Sequence, residues 1–276
     1  MFERKIDIFF YLVYNIIKNN QKRAIMLALE RQEKILDLLK EKSPLSVRVL
    51  SSKLYVSEAT IRRDLIEMEN QLLIRRMHGG AHLTVKEYDD IGLSYRKNEY
   101  IKEKEIIANL AFPLIKNSRA IFMDASSTVG ILANMVKTKY STIVTTGMET
   151  ALKLSRDEDN NVILIGGIVS YSANSVSGAI TVRQLAEFNF DTAIFSCAGI
   201  DKNFYATEKN IEQSAIKQQV IKQSKTKILL LDNSKFSVTN ICKIAPIEQF
   251  DYIVTDVKPN DKFIQYATEH NVKIIY

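Results

Sequence analysis

The sequence contains few cysteines and no long hydrophobic run, and each shortage argues against a class of protein. Its 276 residues include only two cysteines, Cys197 and Cys242, which lie far apart in apolar surroundings. This argues against a disulfide framework or a zinc site and is typical of a reducing cytoplasm. The apolar stretch at residues 8–17 is interrupted by Asn15 and is shorter than the about 20 residues that a bilayer-spanning helix needs. We therefore expect no metal, no cofactor and no membrane partner.

Residues 1–25 are interpreted as an N-terminal extension. Arg4 and Lys5 precede the apolar stretch as the basic end of a signal peptide would, but no small-residue cleavage site follows. We expect this segment to be an extra helix or an upstream extension of a natural start at Met26. The formal net charge of +6 adds a weak preference for an anionic partner.

Residues 26–83 have the pattern of a winged helix-turn-helix domain. Apolar and charged side chains alternate with helical spacing over residues 30–42, which predicts a one-sided first helix. Ser46 is placed to cap a second helix and Ser57 a third, because serine hydroxyls accept hydrogen bonds from the first N–H groups of a helix. A short hairpin follows, which completes the order of elements that this class of DNA-binding domain requires.

The third helix is predicted to enter the major groove of DNA. Ile61, Leu65 and Met68 recur at positions i, i+4 and i+7, so they share the face toward the core. The outward side presents short or cationic side chains, which suit base edges and phosphates. A solvated arginine pair is the alternative interpretation. The DNA contacts expected on this helix are Ser57, Ala59, Thr60, Arg62 and Arg63.

The hairpin after this helix is predicted to be the wing. Gly79 and Gly80 provide the chemistry of a tight turn, and an arginine pair precedes them. His78 either contacts the DNA backbone or is an ordinary surface histidine. Because the arginine pairs on the helix and on the wing agree with one docking geometry, we favour DNA binding. The contacts expected in the wing are Arg75, Arg76, His78 and Gly79.

Two segments of this domain resemble the signature of the DeoR family of bacterial sugar-responsive repressors. They are residues 56–65, which read VSEATIRRDL, and residues 76–81, which read RMHGGA. The family usually has a glycine between the third helix and the wing, where this chain has Leu72. The resemblance implies double-stranded operator DNA as a partner and a homo-oligomeric protein, a dimer or larger.

The rest of the chain is predicted to be a mostly parallel α/β domain over residues 102–276, joined by a charged linker over residues 84–101. Apolar runs typical of buried strands alternate with amphipathic segments typical of helices, a pattern that places helices on both faces of a parallel sheet. The predicted strands are 120–124, 143–146, 162–165, 192–197, 228–232, 252–255 and 272–276, and the predicted helices are 102–116, 128–136, 148–155, 180–188, 211–224 and 262–270.

Polar residues follow several of the predicted strands, at the sheet edge where such folds bind ligands. Ser126, Ser127 and Thr128 open a helix and offer hydroxyls and N–H groups to a phosphate; ordinary helix capping is the alternative. Asp201 and Asp232 either bind sugar hydroxyls or cap loops. The residues expected to bind the effector are Asp124, Ser126, Ser127, Thr128, Thr146, Gly167, Gly199, Asp201, Asp232 and Lys235.

Residues 94–256 also resemble the DeoR sensor domain, which is similar in fold to ribose-5-phosphate isomerase and the coenzyme A transferases. The resemblance begins with Arg96 and Lys104, and it implies a phosphorylated sugar or sugar alcohol as effector. The family's phosphate loop usually reads Asp-x-Gly-Thr-Thr, and Ser126 and Ser127 replace its glycine and first threonine.

We therefore expect a cytoplasmic DNA-binding repressor of a sugar uptake or catabolic operon, relieved by a phosphorylated sugar, and not an enzyme. One alternative is a phosphosugar isomerase with a fused DNA-binding domain, in which Asp201, Glu208 and Lys235 act as acid, base and phosphate anchor. Another is an activator or architectural protein whose DNA binding ignores the effector.

Overall fold

The structure, a computed structural model, describes residues 28–71, 73–83, 93–137 and 141–276. The predicted N-terminal extension and Leu72 lie outside the described residues. The chain divides into two compact units between residues 86 and 87, and each is described by itself. Among the described residues, no helix is long and apolar enough to cross a membrane.

The described part of the first unit contains three helices and a three-stranded antiparallel sheet with strand order β1-β3-β2. Ser46 and Ser57 cap the second and third helices by accepting hydrogen bonds from backbone N–H groups, as predicted. The two-residue strand β1 was not expected. The elements are α1 (Ala28–Glu41), β1 (Leu45–Ser46), α2 (Val47–Leu54), α3 (Glu58–Asn70), β2 (Ile74–Met77) and β3 (Gly80–Leu83).

A buried apolar core and one ion pair fix α3 against the other helices. Ile61, Leu65 and Met68 are almost fully buried, which confirms the inward face predicted from their spacing. Arg31 on α1 donates two hydrogen bonds to the Asp64 carboxylate on α3, with Nε–Oδ2 at 2.5 Å and Nη2–Oδ1 at 2.8 Å. Bidentate pairs of this kind fix orientation, so α3 presents its opposite side to solvent in a defined way.

The second unit is built on a seven-stranded sheet in which every neighbouring pair is parallel, with strand order β15-β14-β12-β9-β4-β5-β6. These strands are the seven predicted from apolar runs. They are β4 (Ala120–Met123), β5 (Thr142–Thr145), β6 (Asn161–Leu164), β9 (Phe190–Ser196), β12 (Ser224–Leu231), β14 (Tyr252–Thr255) and β15 (Lys273–Ile275).

Helices cover both faces of this sheet, as the alternating pattern predicted. Leu132 and Leu154 belong to the core on one face, and Leu185 and Val220 belong to the core on the other. The first face carries α5 (Ile101–Ile115), α6 (Ser127–Leu132) and α7 (Met148–Leu154), and the second carries α8 (Ala179–Leu185), α9 (Ile211–Lys222) and α10 (Asp261–Glu269).

Several short elements of the second unit were not predicted. A hairpin of β7 (Ile168–Ser170) and β8 (Ser175–Ser177) stands apart from the main sheet. A small antiparallel sheet has the order β10-β11-β13. Strands of two to five residues are too short to show a clear alternation of side chains. The small sheet consists of β10 (Gly199–Ile200), β11 (Tyr205–Glu208) and β13 (Cys242–Pro246).

The start of the second unit includes residues that were expected to lie in the linker. Residues Leu93–Arg96 form the short helix α4, and α5 begins at Ile101. The contact-based boundary after residue 86 also assigns these residues to the second unit.

Candidate DNA-binding surface and effector cleft

The first two turns of α3 expose the arginine pair that the sequence singled out. Both Arg62 and Arg63 are exposed. Arg62 forms an ion pair with Glu58, with Nη2–Oε2 at 3.1 Å, whereas Arg63 has no hydrogen bond or ion pair within the part of the chain that the structure describes. Ala59 is exposed beside them. This end of α3 therefore offers one free guanidinium and one that is weakly held.

Ser57 and Thr60 shape the N-terminus of the same helix. The Ser57 hydroxyl accepts the Thr60 N–H at 3.1 Å and lies 2.9 Å from Thr60 Oγ1. The capping bond satisfies an N–H group that has no partner inside the helix. Ser57 thus already has a structural role, and Thr60 is half-buried.

The wing turns at His78 and Gly79, both exposed. Gly79 has φ +78°, a left-handed conformation that favours glycine. The next glycine is needed for a different reason: a Cβ on Gly80 would lie 2.3 Å from the Leu45 carbonyl oxygen. The two glycines therefore serve the turn and the close approach of β3 to β1, respectively.

The two wing arginines differ in their surroundings. Arg76 binds Glu69 through its side chain, with Nε–Oε2 at 2.5 Å, and through its N–H, with N–Oε1 at 2.9 Å. These hydrogen bonds, the backbone one first, lower the pKa of Glu69. Arg75 is exposed and makes no such contact with a described residue. These contacts join Arg76 on β2 to Glu69 at the end of α3, and they thereby attach the wing to this helix.

In the second unit, a narrow cleft opens at the carboxyl ends of the adjacent strands β12, β9 and β4. Ends of neighbouring parallel strands meet at one edge of the sheet, and the polar residues that follow them converge there. Its lining residues are Arg96, Glu99, Tyr100, Lys104, Ser126, Ser127, Thr128, Ser196, Cys197, Ala198, Glu208, Lys217, Asp232 and Lys235.

Half of the residues expected to bind the effector line this cleft: Ser126, Ser127, Thr128, Asp232 and Lys235. Asp124 lines a cavity of about 320 Å³ that shares Arg96, Ser126, Glu208 and Lys217 with the cleft. Its carboxylate accepts the N–H groups of Ser126 and Ser196, each at 2.9 Å. Asp124 therefore joins the loops after β4 and β9.

The other four expected residues do not line either cavity. The Asp201 carboxylate accepts N–H groups of its own loop, from Asn203 at 2.8 Å and Tyr205 at 2.9 Å. Gly199 and Gly167 allow close packing, because a Cβ at these positions would clash with Val238 and Thr181, respectively. Thr146 is buried, and its hydroxyl lacks a hydrogen-bond partner among the described residues.

Two buried lysines in the cleft were not singled out as site residues. Lys104 is 3% exposed and donates hydrogen bonds to the carbonyl oxygens of Arg96 and Glu99. Burial lowers the pKa of Lys104 to about 8, although the nearby Asp232 carboxylate opposes this shift. Its ammonium group is therefore poised to change charge near neutral pH.

Lys217 forms a buried ion pair with Glu208 and lies 3.8 Å from the Asp124 carboxylate. Burial by itself raises the pKa of Glu208, but the Lys217 ammonium outweighs it, so the pKa lies below its ordinary value. Both groups are thus charged. The positive charge of Lys217 is already balanced inside the cleft, unlike that of Lys235.

One sequence signal could have identified these lysines. Lys104 shares the core-facing side of α5 with Ile107 and Ala108, and Lys217 shares that of α9 with Val220. A cation at a core-facing helical position is rare unless it is paired or functional. Arg96, Glu99 and Tyr100 were not chosen as site residues because they fell in the expected linker. Ser196 and Cys197 were not chosen because they belong to a predicted strand, and Ala198 directly follows that strand.

Comparison with known proteins identifies the chain. Residues 31–87 match the DeoR-like helix-turn-helix domain and residues 99–257 match the DeoR C terminal sensor domain. The chain belongs to the DeoR family and is a DNA-binding transcription regulator. The family predicted from residues 56–65 and 76–81 is thereby confirmed.

Relatives of known name match the chain over most of its length. The HTH-type transcriptional regulator GolR of Listeria innocua is 34% identical and covers 85% of this chain and 93% of its own. The glycerol-3-phosphate regulon repressor of Escherichia coli is 30% identical, and the match covers 89% of this chain and 97% of the repressor. The L-fucose operon activator of Haemophilus influenzae is 29% identical, and the match covers 89% of this chain and 98% of the activator.

The α/β fold class is confirmed by the seven-stranded parallel sheet together with the two family matches. A solved D-ribose-5-phosphate isomerase in complex with phospho-erythronic acid covers 49% of this chain and 54% of its own, with 15% identity and a TM-score of 0.37. That likeness is too distant to support any statement about activity.

Proposed function

We propose that the chain represses a sugar uptake or catabolic operon and that a phosphorylated sugar in the effector cleft relieves repression. The observation that carries the proposal is the cleft itself, whose lining includes Lys104, Lys235 and the hydroxyl-bearing residues 126–128. Lysines and hydroxyls are a common combination in phosphate sites.

The charge balance of the cleft favours an effector with one phosphate and several neutral hydroxyls. Lys104 and Lys235 bring positive charge to the cleft, which the Asp232 carboxylate also lines. Lys217 is already balanced by Glu208 and Asp124, so a second phosphate beside it would meet two carboxylates. Carboxylates accept hydrogen bonds from sugar hydroxyls. A sugar monophosphate therefore fits better than a bisphosphate.

The DNA contacts are proposed to start from the exposed end of α3 and from the wing. Arg63 and Arg75 form no hydrogen bond or ion pair with a described residue, so they bind DNA without breaking an existing ion pair. Arg62 is paired with Glu58 and Arg76 with Glu69. On binding DNA, each arginine either leaves its glutamate for a phosphate or keeps it as a group that positions the guanidinium. Two such domains in a homo-oligomer would read paired half-sites.

The names of the relatives support the sugar-related role. The relatives include a repressor of the glycerol-3-phosphate regulon and an activator of the L-fucose operon, and we propose repression for this chain. Their naming as regulators supports the expectation that it is not an enzyme. In the isomerase alternative Asp201 would be the acid, but its carboxylate holds its own loop and does not line the cleft.

The test is binding of the purified full chain to its own upstream DNA, by fluorescence anisotropy at fixed salt, with a panel of sugar phosphates. For Thr128→Ala we expect unchanged DNA affinity and an effector concentration for half release raised at least about tenfold. Thr268→Ala on the exposed side of α10 is the control and should respond like wild type. An unchanged response of Thr128→Ala would remove this loop from the site.

A further inference from the structure

The second unit has an apolar groove separate from the effector cleft. It has a volume of about 430 Å³ and lies between the start of α8 and the first turns of α9. The α8–α9 surface, as we define it, consists of this groove and the isoleucines around it. Its members are Ile168, Gly178, Ala179, Ile180, Val182, Arg183, Ile211, Glu212 and Ala215.

Three large apolar side chains around this groove face solvent. Ile168 is 65% exposed, Ile180 61% and Ile211 74%. Ile168 reaches the end of the groove, because a Cβ on Gly178 would lie 3.2 Å from its Cδ1. Single exposed apolar residues are ordinary on soluble proteins, but a cluster beside an apolar groove marks an interaction site.

The charges on the two walls of the groove indicate what occupies it. Arg183 on α8 is exposed and has no hydrogen bond or ion pair to another described residue. Glu212 on α9 is exposed, and its carboxylate accepts a hydrogen bond from the Ser177 hydroxyl. A surface with one cation and one anion on opposite walls is complementary to itself across a two-fold axis. Arg183 of one copy then faces Glu212 of the other.

We infer that the α8–α9 surface is the contact between two copies of this chain. The small side chains of Gly178, Ala179 and Ala215 leave room for an isoleucine of the second copy. A stable dimer buries about 800 Å² per partner, and the exposed Val169 and Tyr171 of the neighbouring hairpin extend the apolar area. The inference rests on the proposed function only in that paired DNA half-sites call for two reading domains.

The first experiment is sedimentation velocity of the full chain over a range of concentrations, with Ile211→Glu as the variant. Ile211 is exposed, so the variant should fold normally, as circular dichroism would verify. A charge at the centre of an apolar contact should raise the dimer dissociation constant at least about tenfold. The matched control is Leu152→Glu, at a residue 68% exposed on α7, whose core residue Leu154 packs on the opposite face of the sheet.

A second pair of variants tests the charges. Arg183→Glu and Glu212→Arg should each weaken the dimer, and the double variant should recover most of the wild-type association. A wild type that stays monomeric, or an Ile211→Glu variant that dimerises like Leu152→Glu, would overturn the inference. If the wild-type protein is a monomer but a sugar phosphate still releases it from DNA, only the proposed contact is overturned. If it is a dimer but no sugar phosphate changes its DNA binding, only the proposed function is overturned.

Discussion

The two units use charged side chains in opposite ways. In the DNA-binding unit the candidate arginines lie at the surface, with 57% of the Arg62 side chain and 45% of the Arg76 side chain exposed. In the sensor unit two lysines of the cleft are buried: Lys104 is 3% exposed and Lys217 is 5% exposed. Surface charges cost little to place and are screened by salt. Buried charges require partners, so substituting one member of a buried pair should lower the folding stability more than substituting a surface charge.

The largest effect should follow from breaking the buried pair. Glu208→Gln leaves the Lys217 ammonium with only Asp124 nearby, and we expect a loss of about 3–5 kcal/mol in the free energy of unfolding of the sensor unit. Urea unfolding followed by far-UV circular dichroism measures it. The double variant Glu208→Gln/Lys217→Met should recover much of the loss, since no charge then lacks a partner. A loss below about 1 kcal/mol for the single variant, the range of exposed pairs, would show that solvent reaches the pair.

An intermediate effect is expected on DNA binding at the exposed end of α3. Arg63→Ala should weaken binding to the specific site by about 1–3 kcal/mol if the guanidinium reads a base, with little change in folding stability. Fluorescence anisotropy with a specific and a scrambled duplex separates base recognition from sequence-independent binding to phosphates. Arg75→Ala is the comparison: it should weaken both duplexes alike and reduce the salt dependence. Equal loss on both duplexes for Arg63→Ala would assign it to phosphate.

The smallest effect concerns pH and Lys104. Because the pKa of Lys104 is about 8, its ammonium loses its proton between pH 7 and pH 9, while a sugar phosphate remains a dianion. Effector affinity should therefore fall with rising pH, by up to about tenfold over this range. Isothermal titration calorimetry at several pH values measures it. Lys104→Met should bind more weakly and lose this pH dependence; a wild-type affinity that stays constant from pH 7 to 9 would exclude Lys104 from phosphate binding.

Stability should respond to the same group in the opposite direction. The folded-state pKa of Lys104 lies below the about 10.4 of an unfolded lysine. Between these values the unfolded chain binds more protons, so this group makes the folded state more stable as the pH rises from 8 toward 10. A fall in affinity over this range therefore cannot be explained by loss of the Lys104 contribution to folding.

The sequence was sufficient for those features that depend on local patterns. Ser46 and Ser57 were recognised as caps because capping needs only a hydroxyl at the right position. The seven parallel strands were found because strands buried on both faces appear as apolar runs. Strand β7 (Ile168–Ser170) has no such run, since its side chains are largely exposed.

The cleft was less predictable, because it combines residues from distant segments. Ser126 and Lys235 were found from their places after predicted strands, but Glu208 and Lys217 become neighbours only through the packing of α9 against the small sheet. Asp201 shows the reverse case: it follows a strand in sequence, but its carboxylate turns back to its own loop. Position after a strand selects the edge of the sheet, whereas tertiary packing selects which side chains line the cleft.

The arrangement of the central strands has a consequence for synthesis on the ribosome. The cleft is formed by residues spread from Arg96 to Lys235, whereas the winged unit ends within the first third of the chain. Domains generally fold in the order in which they emerge, so a chain terminated before β12 would contain a complete DNA-binding unit and no complete cleft. Such a fragment would retain the DNA-binding unit but lack Asp232 and Lys235, which line the cleft after β12, so any response that needs them would be lost.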